Sequence, residues 1–238
     1  MNTNGKVIPK RPAVPFQQHP SFELVQLFKA RPFQGQTPEK ASILFLSSDA
    51  NYSPEISGHP FFDCIFEYHE NSLTFWQRYD CHHPFLLKCY PFLRDRDWVP
   101  SHRNFSKLFL EPEHAKYISF IELLDVPTMG NKSQNRKLFF GLTNPKHLRK
   151  IDELVRGGGH KLFFVSQGVL EDMKIIKKKY KNQYPDLFDW LNLAQGGLNQ
   201  QFSLSINGNK IKEIYHFSSS QIHGQIDDIR TDIDEWLT

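Results

Sequence analysis

The sequence predicts an α/β fold: a three-layer α/β/α sandwich around a central, mostly parallel four-stranded sheet. Three observations lead there. Residues 43–46 (ILFL), 118–124 (ISFIELL) and 162–165 (LFFV) are short apolar runs without alternation, as in strands covered on both faces. Each run ends at small or polar residues suited to tight turns: Ser47-Ser48-Asp49-Ala50-Asn51, Asp125 to Gly130, and Ser166-Gln167-Gly168. Stretches with three-four apolar spacing follow the later runs, as crossover helices require.

The chain has 238 residues, enough for one sizeable α/β domain, and 39% hydrophobic and 14% aromatic content, with 21 Phe, supports a substantial core. A net charge of +3 and pI of 8.6 are compatible with a polyanionic partner without requiring one. An odd count of 3 Cys argues against a disulfide framework and for a reducing cytoplasm. No apolar run approaches the ~20 residues of a membrane span, and the start of the chain lacks the apolar centre of a signal peptide. The expectation is a cytoplasmic, soluble monomer.

Taken in order, residues 1–20 are rich in Pro, Lys and Gln and read as an extended arm; a single domain then runs from 21 to 238. Ser21 caps a short helix through about Ala30, with Phe22, Leu24, Val25 and Phe28 as its stripe. After the first strand, residues 52–90 are strongly aromatic. Pro54, Gly58 and Pro60 make the first part a loop, and 72–79 a helix. This stretch holds Cys64, His69, Cys81, His82, His83 and Cys89, without CxxC or HxxxH spacing, so the reading is buried thiols and polar loop histidines with no metal. Residues 94–103 are charged and broken by Pro, which reads as surface loop, as does polar 131–137.

Pro145 to Val155 reads as a helix, with Leu148, Ile151 and Leu154 inward, and Gly157-Gly158-Gly159 closing it. The helix after Ser166-Gln167-Gly168 carries Val169, Leu170, Met173, Ile176 and Tyr180 on one stripe and four lysines on the other face. Asn207-Gly208 between two apolar arms signals a hairpin. The last helix has Ile222, Ile226, Ile229, Ile233 and Trp236 at three-four spacing, with Ser219 or Ser220 as its cap.

In parallel α/β sheets ligands bind beyond the carboxyl ends of the strands. The residues expected there are Asp49, Glu122 or Asp125, Gln167, and His216 with Ser218. SSDANY after the first strand and HFSS after the last resemble, in order and spacing, the two motifs of the uracil-DNA glycosylase superfamily, and the resemblance spans residue 43 to the C-terminus. It implies a three-layer domain that flips a damaged base out of DNA and cleaves the bond joining base to sugar, without metal or cofactor. In that scheme Asp49 stabilises the cation-like sugar and orients water, and His216 donates a hydrogen bond to the leaving base. Asn51, Tyr52, Phe61, Phe62 and Glu122 fall where the family holds the base, Phe61 and Phe62 competing for the stacking position. Gln167, Ser218, Ser219 and Ser220 fall where it touches DNA. The position near Glu122 is often Asn in uracil-specific members; a carboxylate there suits a base that offers donors. Two other readings stand beside this one: a nucleic-acid-binding relative without catalysis, and a hydrolase with Ser47 or Ser218 as nucleophile and His216 as base. The second lacks a G-x-S-x-G elbow.

Overall fold

The structure is a computed structural model describing residues 14–94, 98–193 and 202–238. It is α/β, with a six-stranded mixed sheet rather than the four strands expected. The strands are β2 (Gln34–Gly35), β3 (Ile43–Ser47), β4 (Ile118–Glu122), β6 (Leu162–Ser166), β7 (Ser203–Ile206) and β8 (Asn209–Ile214), in the order β2-β4-β3-β6-β8-β7. The inner four are parallel. The two outer strands, β2 against β4 and β7 against β8, are antiparallel. β2 is the strand the sequence hides: it has two residues, and Gly35 at φ +86° passes so close to the Ile118 carbonyl that a Cβ would lie 2.6 Å from its oxygen.

The expected hairpin is β7–β8, with Asn207 and Gly208 both at positive φ (49° and 84°) as a two-residue turn of the right hand for twisted strands requires. A separate ribbon pairs β1 (Gln17–Gln18) with β5 (Thr128–Met129). Phe16 and His19 are buried beside it, so the end of the expected N-terminal arm belongs to the fold. Residues 1–13 of that arm lie outside the described residues.

Alternate side chains of the strands enter two cores. On one face Leu44, Leu46, Ile121, Phe163 and Val165 meet α5 (Arg136–Gly141), α6 (Pro145–Arg156) and α7 (Gln167–Tyr180). On the other, Ile43, Phe45, Phe120 and Phe164 meet α3 (Ser72–Tyr79), α4 (Val99–Phe105) and α8 (Ile226–Leu237). Full burial of each such side chain contributes roughly 1.5–3 kcal/mol, which is why both faces of the inner strands read as apolar. Phe45 stacks between Phe120 and Phe164, at 5.5 and 5.1 Å between centroids, in the middle of the second layer. A third cluster, off the sheet, gathers α1 (Phe22–Ala30), α2 (Phe62–Glu70), Tyr52, Phe85 and Tyr90.

Several local expectations are corrected. Phe22 is 70% exposed, because the first position of α1 points away from the stripe of Leu24, Val25 and Phe28. Part of residues 94–103 is helix: Pro100 sits in the first turn of α4, where its missing N–H costs nothing, and Val99, His102 and Phe105 are buried. Asn135 caps α5 within the segment expected to be loop. Leu154 is half-buried while Val155 is fully buried, rotating the inner face of α6 by one residue. Among the described residues no helix is long and apolar enough to cross a membrane.

Candidate active site at the carboxyl edge of the sheet

Register fixes the edge. Ser47 pairs with Glu122 and Ser166 with Ile214, so the inner strands end level and their following residues share one rim. Asp49, Glu122, Gln167 and His216 all lie there.

Asp49 is buried, at 7% exposure. Its Oδ2 accepts from the Thr128 hydroxyl at 2.5 Å. Burial pushes its pKa up, while the Thr128 hydroxyl, the Lys132 ammonium and the Asn51 amide pull it back. Next to it, Ser48 donates to Asp172 at 3.1 Å, and Asp172 is also bonded to Lys132 and, at 3.0 Å, to Arg136. Asn51 is structural: its side-chain amide donates to the Gly130 carbonyl at 2.5 Å and holds the turn that carries Thr128.

His216 is half-buried. Its Nδ1 accepts from the Ser218 backbone N–H at 3.1 Å and lies 2.7 Å from the Ser218 hydroxyl. An imidazole whose Nδ1 accepts carries its proton on Nε2. Burial, together with the Lys132 charge, lowers its pKa to about 4, so the ring is neutral near pH 7. The Ser218 hydroxyl is engaged in orienting the imidazole within its own turn. Ser219 caps the turn leading into α8 by accepting from the Gln221 N–H, Ser220 is exposed, and Gln167 is exposed in the first turn of α7.

The residues expected to hold a base divide. Tyr52 is 1% exposed with its hydroxyl 3.2 Å from His69 Nε2; Phe61 packs edge-on against Tyr90 at 5.3 Å; Phe62 is half-buried in the same cluster. These rings pack in the third cluster, Tyr52 and Phe61 within it and Phe62 against it. Glu122 is wholly buried. Its Oε1 accepts a long, 3.4 Å hydrogen bond from Gln34, and its Oε2 is without a hydrogen-bond partner. Burial and the nearby Asp49 carboxylate raise its pKa to about 8, so it is a neutral acid near pH 7. Asp125, the alternative at this strand end, accepts from Asn144, the capping residue of α6.

Sequence reasoning missed the recess beside His216. It opens at the ends of β3, β6 and β8, with Ser47 and Ser166 on its rim and Phe45, Phe120 and Phe164 as its floor. Trp98, His102 and His216 wall it. Its volume, open mouth included, is about 440 Å³, and the room left inside it is small. Asp49 is not among its walls; it follows Ser47 by two residues. Trp98 carried no sequence signal, lying inside a charged, Pro-broken stretch. His102 lay in that stretch too.

No family model, no curated protein and no solved structure matches the chain. Among the described residues no group of three or more His, Cys, Asp and Glu side chains is arranged to hold a metal ion.

Proposed function

We propose that the chain is a DNA glycosylase-like protein, a monomer that takes a deaminated or otherwise damaged base flipped out of DNA and hydrolyses its bond to the sugar. One observation carries the reading. An acid near the start of the chain and a neutral imidazole near its end reach the same rim, and the charge of one lysine, Lys132, acts on both. Glycosidic cleavage needs negative charge near a cation-like sugar and a hydrogen-bond donor for the leaving base. Asp49 supplies the first, kept ionisable by Thr128 and Lys132 against its burial. His216 supplies the second through Nε2–H, its proton position set by Ser218. The recess beside His216 is lined by aromatic rings, the kind of surface on which a flat base stacks.

A panel of oligonucleotides, each bearing one modified base such as uracil or hypoxanthine, tests this by abasic-site formation. Asp49→Asn and His216→Ala are each expected to lower base release by at least ~100-fold. Wild-type rates in either variant remove that residue's role. A second reading, a nucleic-acid binder without catalysis, is favoured by the depth of Glu122 and the near-closure over Asp49. DNA binding without release of any base in the panel would select it.

A further inference from the structure

A residue that lines the recess carries a polar atom with no part in the glycosylase scheme. His102 is 3% exposed, its ring walls the recess, and its Nε2 is buried without a hydrogen-bond partner. A buried, unpartnered nitrogen is unfavourable and calls for an explanation. We infer that His102 is the specificity-determining residue of the recess, reading one hydrogen-bonding position on the edge of a flat heteroaromatic ring, with His82 and His83 as the residues that position it. The inference rests on the proposal that the recess receives a base.

The imidazole is fixed on every side. His83 stacks on it at 3.6 Å between centroids and 12° between planes. Trp98 lies 5.8 Å away and Phe120 6.1 Å away. Its other nitrogen, Nδ1, is 3.1 Å from His82 Nε2. These contacts hold the ring, and Nε2 is its nitrogen without a hydrogen-bond partner. A single nitrogen reads a single edge group, and neighbours held this tightly leave no slack for a misfit.

The positioning residues are themselves tied down. His83 Nδ1 accepts from the Phe85 N–H at 3.2 Å, so its Nε2 carries a proton and donates to Gln34 Oε1 at 3.0 Å. Gln34 in turn donates to Glu122. A continuous polar wall thus runs from the end of β4 to the recess, with an unpartnered atom at each end, Glu122 Oε2 and His102 Nε2. The bond between His82 and His102 holds one proton, and its position decides what His102 presents. If His82 donates, His102 offers an N–H to a ring carbonyl. If His102 donates, it offers a lone pair to a ring N–H or amino group. Burial lowers the pKa of both rings, which keeps this a choice between neutral forms.

The test uses the full chain labelled with ¹⁵N-histidine and titrated with free uracil, hypoxanthine and benzene, the last a ring without a polar edge. The expected result is a shift of the His102 Nε2 resonance with one of the two bases and none with benzene. His102→Ala should weaken binding of that base at least tenfold, and His102→Gln should restore part of it. The wild-type spectrum stands even if a variant fails to fold. A base that shifts His216 but leaves His102 Nε2 unmoved, and binds His102→Ala as tightly as wild type, overturns the role of His102 while leaving the glycosylase reading intact. A base that shifts His102 while the oligonucleotide panel shows no release keeps the role and removes the glycosylase. If no base moves either histidine, both fall.

Discussion

Glu122→Gln should make the protein less sensitive to rising pH. Glu122 is wholly buried, and its pKa rises from an ordinary 4.5 to about 8 on folding. Between these values the folded chain holds a proton that the unfolded chain has lost, so stability is fullest below 4.5 and falls as pH climbs through 8. The slope is at most ~1.4 kcal/mol per pH unit, and integrated from about pH 6.5 to about pH 8 the loss is about 1.6 kcal/mol. Gln cannot ionise and keeps the acceptor for Gln34. The histidines titrate alike in both proteins, so the gap between wild type and variant isolates Glu122. Urea denaturation at the two pH values reads that gap directly. It should widen in favour of Glu122→Gln by about 1–2 kcal/mol as pH rises. A constant gap would show that Glu122 ionises normally, and would refute the account of a neutral acid beneath the rim. Asp49→Asn should reduce the widening, because the Asp49 charge helps to hold the Glu122 proton.

Other perturbations follow from the same contacts. Thr128→Val removes the hydroxyl that Asp49 accepts from; it should cost about 1–3 kcal/mol and raise the Asp49 pKa further, measurable by carboxyl ¹³C NMR. Asp172→Asn leaves Lys132 and Arg136 without their buried partner. Since both cations are partly exposed, the expected loss is about 1–2 kcal/mol, read by thermal denaturation. At Gly130 (φ +75°) a Cβ would lie 2.5 Å from the Val14 carbonyl oxygen, so Gly130→Ala should separate the β1–β5 ribbon and lower Tm by several degrees. Burial lowers the His69 pKa to about 3. Stability from this group is present above its ordinary 6.5 and is lost as pH falls towards 3, so His69→Gln should unfold less steeply in acid by about one proton.

Much of the architecture is legible in the sequence because β3, β4 and β6 are buried on both faces and every position reports it. The Asn207-Gly208 turn is legible for the opposite reason: it depends on two adjacent residues only. The strands β1, β2 and β5 are invisible because each has two residues and is specified by its partner rather than its own pattern. Asp49 and His216 are found because strand ends mark the rim. Their neighbours are not, because Thr128, Lys132 and Asp172 reach the rim across long sequence separations: 79 residues from Asp49 to Thr128 and 124 from Ser48 to Asp172. His82 and His83 stood out as polar residues in a loop. Four buried rings, His69, His82, His83 and His102, instead line the interior between β2 and α4, a packing that no local spacing announces.

The pairing of β1 with β5 has a consequence for how the chain matures. Gln17 meets Met129 across 112 residues, so this strand waits for a distant partner to be synthesised before it can dock. The turn it clamps carries Thr128, and with it the seat of Asp49. His216 is made later still. A chain halted before β8 would therefore hold the residues of the acid corner without the imidazole or the strand beside β6, and a chain trimmed ahead of Phe22 would carry the imidazole without the strand that clamps the Thr128 turn.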